Sequence, residues 1–178
     1  MTLDMSPAEF GRLLDSLACL PYGLEAVDQR AHALQSAGLA RAGGWDDDMI
    51  LACALHDVGR APAVAATFEG LPHELAGARV VGALIGARAG ALVGGHVTAK
   101  RYLAADLDYA LSPASVASLA VQGGPMSAAQ RAAFEADRLC EEMLALRRYD
   151  DAAKVPGASA PSVAEIVALY SRLRSDRC

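Results

Sequence analysis

The sequence predicts an all-α fold, a single helical bundle of about seven to nine helices. Three observations predict it: alanine-rich stretches carry apolar residues at helical spacing, runs of β-branched residues are short, and capping residues separate the stretches. Hydrophobic residues make up 53% of the 178 residues and charged residues 21%, which supplies enough apolar material for a full core. Because no linker is long enough to divide the chain, we expect one domain over residues 1–178.

Local signals place the helices of the first part of the chain. Ser6 and Glu9 flank a proline in the pattern of an N-cap with a capping box, so a helix starts there. Two glycines at positions 43 and 44 end the second helix. The acidic run 46–48 predicts the start of the third helix, because acidic side chains stabilise the positive N-terminal end of a helix dipole. The predicted elements are helices over residues 6–20, 25–42 and 46–57, then a loop rich in proline and glycine over residues 61–72.

The later part of the chain alternates helical patterns with tight breaks. Ser127 caps a long amphipathic stretch, and residues 122–125 (QGGP) form the break before it. Alanine, proline, glycine and serine make up most of residues 152–161, which predicts a loop. The predicted helices cover residues 73–85, 91–104, 112–121, 127–147 and 161–175.

Charge and composition argue against several kinds of partner. Lysine and arginine total 16 against 21 for aspartate and glutamate, a formal net charge of −5, which disfavours nucleic-acid and polybasic membrane surfaces. No apolar run approaches the roughly 18 residues of a membrane span, and no signal peptide is visible. The four cysteines are scattered, as expected for reduced thiols: Cys19, Cys53, Cys140 and Cys178. We expect a cytoplasmic protein that is a monomer or a weak homo-oligomer, and the charge does not exclude an anionic small-molecule substrate.

The four histidines are the main candidates for chemistry. His56 and Asp57 are adjacent at the end of an apolar helix, where a buried carboxylate is costly unless a cation offsets its charge. On a regular helix their side chains diverge by about 100°, yet both can reach one ion at the helix end. His32, His73 and His96 lie in or beside other predicted helices. Each histidine alone is compatible with a hydrogen-bonded core residue, so a metal site requires that they converge.

Several longer motifs carry a family resemblance. In chain order they are residues 22–25 (YGLE), 32–35 (HALQ), 54–59 (ALHDVG), 95–103 (GHVTAKRYL), 122–126 (QGGPM) and 154–157 (KVPG). With the pattern H…HD…H…H…D, they span about residues 20–157. The chain resembles the HD-domain superfamily in its six-ligand, dinuclear branch. Within that branch it is similar to the mixed-valent di-iron oxygenases that cleave the carbon–phosphorus bond of 1-hydroxyalkylphosphonates. The resemblance implies a single HD-domain helical bundle.

The resemblance also implies a ligand set for two irons, an Fe(II)/Fe(III) pair, with O₂ as co-substrate. One iron would be held by His32, His56, Asp57 and Asp150, and the second by Asp57 as a bridge together with His73 and His96. Neutral imidazoles and carboxylates suit iron, and an incomplete protein shell leaves positions for substrate and oxygen. Asp151 stays an alternative to Asp150, because the two are adjacent.

Three residues are implied contacts for the phosphonate. Lys100 lies four residues after His96, so on a helix its ammonium projects from the same face and would clamp the anion. A solvated surface lysine is the alternative. Gln122 at the glycine turn would donate to phosphonate oxygens, although a turn that simply ends a helix explains it equally well. Ser118, one helical turn earlier, is a weaker candidate for the same contact.

Three other residues bear on access and on the substrate's side group. The resemblance implies a gate in which Tyr22 occupies the iron site at rest and leaves when substrate binds. Glu25 would sense the substrate's amino group, or is simply an acid favoured by a helix dipole. Arg60 stands where the family pattern has a histidine, which leaves the metal set intact and the side group of the substrate open.

The implied reaction is oxygen-dependent cleavage of 2-amino- or 2-trimethylammonio-1-hydroxyethylphosphonate, giving phosphate and glycine or glycine betaine. Two other functions stay open. An HD-type metal phosphohydrolase would use the same His–Asp centre to activate water on a nucleotide or another phosphate ester. A non-catalytic helical domain with a structural metal fits less well, because structural sites present a full ligand set to one ion.

Overall fold

The computed structural model describes residues 4–18, 20–23 and 25–176, and within them the regular structure is helical apart from one antiparallel bridge between Pro21 and Asp28. A short 3-10 turn, Val58–Arg60, also lies between the third and fourth helices. The α-helices of the described ranges are α1 (Pro7–Asp15), α2 (Gln29–Ala42), α3 (Asp47–Leu55), α4 (Pro62–Thr67), α5 (His73–Leu84), α6 (Ala87–Leu103), α7 (Pro113–Val121), α8 (Ala128–Glu135), α9 (Cys140–Ala152) and α10 (Val163–Ser175). The predicted all-α class is confirmed, with slightly more helices in these ranges than the seven to nine expected.

The predicted helix over residues 127–147 is wrong, because the chain breaks between α8 and α9. The side-chain carboxylate of Asp137 accepts the backbone N–H of Leu139 at 2.8 Å. The backbone carbonyl of Asp137 accepts the N–H of Cys140 at 3.0 Å. A short polar side chain that satisfies nearby backbone donors competes with helical continuation. α9 therefore starts afresh at Cys140 and runs to Ala152.

Two further predictions need correction. Within the predicted loop 61–72, Pro62 starts α4, where its missing N–H removes no helical hydrogen bond. α2 starts at Gln29 rather than at residue 25, because Oδ1 of Asp28 caps it by accepting the N–H of Ala31 at 2.7 Å. The other predicted helices are present with shifted ends.

α3 lies in the middle of the core and ends at the candidate site. All of its residues from 49 to 55 are buried, and it packs against α2, α6, α9 and α10. A helix that is apolar on every side has no solvent-facing stripe and must be enclosed by its neighbours. His56 and Asp57 follow directly, so both side chains enter the interior.

Glycines allow the close approaches that bring the other histidines in. A Cβ on Gly90 would lie 2.7 Å from Cα of Gly82, so α5 and α6 pack almost backbone to backbone. A Cβ on Gly59 would lie 2.0 Å from the carbonyl oxygen of His73, a separation that no side chain tolerates. The backbone carrying His73 therefore lies directly against the turn after Asp57.

Two of the four cysteines lie in the described part of the chain. Cys53 and Cys140 are free and buried, whereas Cys19 and Cys178 lie outside the described residues, as does Leu24 of the YGLE motif. None of the helices in the described part of the chain combines the length and the apolarity needed to cross a membrane.

Candidate metal centre

The first group of converging side chains joins α2, the end of α3 and α9. Nε2 of His32 lies 3.0 Å from Nε2 of His56. Oδ1 of Asp150 lies 3.3 Å from Nε2 of His32 and 3.8 Å from Nε2 of His56. Oδ2 of Asp57 is also 3.8 Å from Nε2 of His56. All four side chains are buried, so their ligand atoms face one small interior volume.

The second group shares Asp57 with the first. Oδ1 of Asp57 lies 3.0 Å from Nε2 of His73 and 3.9 Å from Nε2 of His96, and these two nitrogens are 3.3 Å apart. Within the described residues this buried oxygen makes no well-aligned hydrogen bond, although His73 and Nε of Arg60 are each 3.0 Å away. One carboxylate thus offers one oxygen to each group, the arrangement required of a bridging ligand.

The imidazole rings are oriented by backbone carbonyls. His56 and His96 each direct Nδ1 at the carbonyl three residues earlier, at 2.8 and 2.7 Å, and His32 directs Nδ1 at the carbonyl of Ala153, at 2.8 Å. A carbonyl can only accept, so Nδ1 carries the proton and Nε2 carries the lone pair. Lone pairs that face each other at about 3 Å repel unless a cation lies between them. A hydrogen bond from Nδ1 to a carbonyl oxygen is also what commonly orients metal-ligating histidines in proteins.

His56 and His96 are held in the neutral form that binds metals. Burial is the largest influence on His56 and lowers its pKa, against the opposing effect of the neighbouring carboxylates. Burial likewise lowers the pKa of His96 to about 3. Neutral imidazoles at neutral pH are therefore available to coordinate an ion.

The carboxylates are held in the ionised form. Burial alone would raise the pKa of Asp57, but Arg60 and the nearby histidines outweigh it and hold that pKa well below its ordinary value. Arg147 does the same for Asp150, again against the effect of burial. Ionised oxygen ligands and neutral nitrogen ligands that converge in a buried place form a donor set suited to divalent transition metals. The residues present fit a metal site.

Asp150 and Asp151 point to different partners. Asp150 reaches the histidines, whereas Asp151 accepts hydrogen bonds from Tyr109 at 2.9 Å and from Lys154 at 3.2 Å. Arg147 forms ion pairs with both aspartates. Adjacent helical residues diverge by about 100°, and this divergence sends only Asp150 into the cluster.

A cavity of about 170 Å³ opens beside the two groups and has Lys100 on its wall. Lys100 is only 2% exposed, and its ammonium donates to Oε1 of Gln122 at 2.8 Å and to the hydroxyl of Ser118. Lys100 is therefore not a solvated surface lysine. Ser118 and Gln122 also line the cavity, so the structure brings together the three residues that the resemblance implied for the phosphonate.

The turn that carries Gln122 is held by Arg101, the neighbour of Lys100. Nε of Arg101 donates to the carbonyl of Gly124 at 2.9 Å, and the carbonyl of Arg101 accepts the N–H of Met126 at 3.0 Å. Gly123 and Gly124 both have positive φ, 95° and 67°, which glycine adopts without strain. The turn thus ends α7 and also fixes Gln122 next to Lys100.

The structure gives the two residues of the implied gate different surroundings. Tyr22 lines the cavity, donates its hydroxyl to Oδ1 of Asp150 at 2.9 Å, and stacks its ring 3.9 Å from that of His32. Glu25 is not among the described residues that line the cavity, and its Oε1 is buried without a hydrogen-bond partner. Among the described residues, therefore, only Tyr22 of this pair touches the histidine cluster.

Sequence reasoning missed Arg147 and Ser115, which also line the cavity. Arg147 is 3% exposed, and its guanidinium contacts both residues of the Asp150–Asp151 pair and donates to Ser115 at 3.2 Å. The available signal was its spacing, three and four residues before two acids on one predicted helix. That spacing is common on solvated helices, so it does not by itself predict a buried network.

Comparison with known proteins gives two close curated relatives, while no family model matches the chain. The glycine-betaine-forming 1-hydroxy-2-(trimethylamino)ethyl phosphonate dioxygenase of Leisingera caerulea is 32% identical over 171 residues, covering 92% of this chain and 87% of that protein. The hydroxymethylphosphonate dioxygenase of Gimesia maris is 37% identical over 150 residues, covering 79% of this chain and 75% of that protein. Both relatives are oxidoreductases by name.

Proposed function

This chain belongs to the family of the phosphonate dioxygenases, and we propose that it uses O₂ to cleave the carbon–phosphorus bond of a 1-hydroxyalkylphosphonate. The substrates implied by the family resemblance carry a 2-amino or a 2-trimethylammonio group. The balanced reaction is RCH(OH)PO₃²⁻ + O₂ → RCO₂⁻ + HPO₄²⁻ + H⁺. Both oxygen atoms of O₂ are used, so each turnover needs no external reductant.

The observation that carries the proposal is the shared carboxylate of Asp57 beside a cavity with a cationic wall. Two ligand groups meet at Asp57, and Lys100 and Arg147 line the cavity next to them. Fixed cations of this kind suit a phosphonate, and an open cavity suits a substrate rather than a purely structural ion. The relatives named as phosphonate dioxygenases supply the reaction class.

We assign two iron ions, as Fe(II) and Fe(III), to the two groups. His32, His56 and Asp150 would hold one, His73 and His96 the other, and Asp57 would bridge them. The irons would supply Lewis acidity that orients the substrate and the redox chemistry that activates O₂. The protein's part is to present imidazole nitrogens and ionised carboxylates at fixed positions. Backbone carbonyls orient the rings of His32, His56 and His96. Arg60 and Arg147 help to keep the two carboxylates ionised.

The phosphonate would bind against Lys100, Ser118 and Gln122. The ammonium of Lys100 already sits between the hydroxyl of Ser118 and the amide oxygen of Gln122, which hold it facing the cavity. A fixed cation costs little reorganisation when the anion arrives, and its charge-assisted hydrogen bonds are stronger than neutral ones. With the phosphonate held there, carbon 1 and its hydroxyl would face the metal ligands.

Tyr22 and Glu25 keep their proposed roles in access and recognition. Burial, with the charges of Asp150 and Asp57 adding to it, raises the pKa of Tyr22, so its hydroxyl stays protonated and acts as a donor. Substrate binding would break the contact between this hydroxyl and Asp150. Glu25 carries a buried, unpartnered oxygen that an ammonium on the substrate would satisfy once the segment shifts.

Oxygen dependence tests the proposal directly. Protein loaded with iron and given a panel of 1-hydroxyalkylphosphonates should release phosphate in air and consume one O₂ per phosphate. Under argon, phosphate release should stop. A hydrolase using the same His–Asp centre would release phosphate equally well under argon, and that result would refute the oxygenase assignment.

The pH dependence of kcat/KM should report Lys100. Burial, followed by the charge of Arg147, lowers the pKa of Lys100 to about 8, while Asp150 and Asp151 oppose the shift. The ammonium that clamps the phosphonate is therefore present below pH 8 and lost above it. We expect kcat/KM to fall about tenfold per pH unit above that point. In Lys100→Arg this fall in kcat/KM above pH 8 should disappear, because a guanidinium does not deprotonate in this range. A fall that persists in the variant would assign the titration to another group.

The other expectations from the sequence stay predictions. They concern the single domain, the monomeric or weakly oligomeric state, the cytoplasmic location and the absence of nucleic-acid and membrane partners. A small-molecule substrate agrees with the names of both relatives.

A further inference from the structure

Arg60 contacts the second metal-ligand group. It ends the 3-10 turn that follows His56 and Asp57. Its Nε lies 3.0 Å from Oδ1 of Asp57, and its Nη2 lies 3.1 Å from Nε2 of His73. Both of these acceptor atoms belong to the second group, and Oδ1 is the oxygen of Asp57 that faces it.

A guanidinium and a metal ion compete for these atoms. The lone pair on Nε2 of His73 can accept an N–H or coordinate an ion, but it cannot do both. Oδ1 of Asp57 has two lone pairs and could keep its contact with Arg60 while it coordinates an ion, so the direct competition is for Nε2 of His73. A metal ion that coordinates Nε2 of His73 must therefore displace the guanidinium of Arg60 from that nitrogen.

The two groups differ in how their ligands are held. In the first group, His32 and His56 are buried, and each is fixed by a backbone carbonyl. In the second group, His96 is held in the same way, but the side chain of His73 is 15% exposed and its Nδ1 lies 3.1 Å from a carboxylate oxygen of Glu74. Arg60 itself is 40% exposed, so its head group can withdraw toward solvent.

We propose that Arg60 is a positioning residue that holds the second group together as a substitute cation and must leave before the second metal binds. The proposal rests on the two-metal centre proposed above. It follows that the two sites have unequal affinities, that the second fills after the first, and that Arg60 sets much of the difference. The first site uses Oδ2 of Asp57, so it should be nearly insensitive to Arg60.

Titration of metal-free protein with Fe(II) under argon, followed by calorimetry and by metal analysis, tests the proposal without an activity assay. The wild type should show two binding events of different affinity. In Arg60→Met, which keeps the length but removes the charge and the donors, the weaker event should tighten at least about tenfold. The tighter event should change little. Arg60→Lys keeps a cation and should stay closer to the wild type.

Arg79→Met provides the matched control. Arg79 lies on α5, the helix that begins at His73, with its guanidinium 5.9 Å from the centroid of the Phe68 ring. Arg79→Met removes a positive charge from that helix without touching the ligand groups, and it should leave both events unaltered. Two events with an unchanged or weakened second affinity in Arg60→Met would overturn the role of Arg60. Binding of a single ion by the wild type and by Arg60→Met would instead overturn the two-metal centre. Circular dichroism of each variant establishes that it is folded.

Discussion

Asp57→Asn is expected to abolish oxygen-dependent phosphate release, with a loss of roughly 10⁴-fold or more, and to remove at least one of the two metal ions that we propose for each chain. The carboxylate offers Oδ2 to the His32–His56 group and Oδ1 to the His73–His96 group. An amide has one carbonyl oxygen, no charge, and an NH₂ that repels a cation. It therefore cannot bridge. Metal analysis and phosphate release on the same preparation check both parts of the prediction.

Asp151→Asn is the matched control for that experiment. Asp151 lies next to a ligand in the chain but pairs with Arg147, Lys154 and Tyr109 instead of the histidines. The Asp151→Asn protein should keep both of the proposed metal ions, although its activity will fall because Arg147 loses one of its two ion pairs. If Asp57→Asn retained two ions and near-normal activity while folded, the bridging role would be wrong. If Asp151→Asn lost an ion, the choice of Asp150 would be wrong.

Capping signals and apolar periodicity predicted most helices, because both act within a few residues. Ser6 and Ser127 cap their helices as expected, each with a complete capping box. The break at Asp137 was missed because the apolar stripe continues across it in sequence. Only the side-chain contact with the N–H of Leu139 reveals that the helix stops.

The histidine and aspartate set was identified from motifs, and the structure brings those side chains together. Spacing alone could not have shown this, since His32 and Asp150 are far apart in sequence and meet only through the packing of α2 and α9. The role of Arg147 was missed because its burial and its contact with Ser115 also arise only from the packing of distant segments. The role of Glu25 stays a prediction: it is not among the described residues that line the cavity, and its Oε1 is buried without a hydrogen-bond partner.

Lys100→Met is expected to lower kcat/KM by about 10²- to 10³-fold while both metal ions stay bound. The ammonium is the cation placed between Ser118 and Gln122, and removing one partner of a buried charge pair costs roughly 2–5 kcal/mol. Methionine keeps the length and apolar body of the side chain, so packing in α6 should survive. Phosphate release measured over a range of substrate concentrations, with metal content and thermal melting on the same samples, checks the prediction.

Lys154→Met is the comparison that separates a phosphonate clamp from a general need for positive charge. Lys154 is the other lysine in the chain, and its ammonium pairs with Asp151 at 3.2 Å and lies 5.5 Å from the ring centroid of Tyr22. Because Asp151 keeps its ion pair with Arg147, and Lys154 is not among the described residues that line the cavity, the loss of this ammonium should lower kcat/KM by less than about tenfold. Lys100→Arg should retain most of the binding, since a guanidinium also pairs with phosphonate oxygens. Equal losses in Lys100→Met and Lys154→Met would mean that the cavity attracts its substrate by net charge alone, and the assignment of Lys100 to the phosphonate would have to be given up.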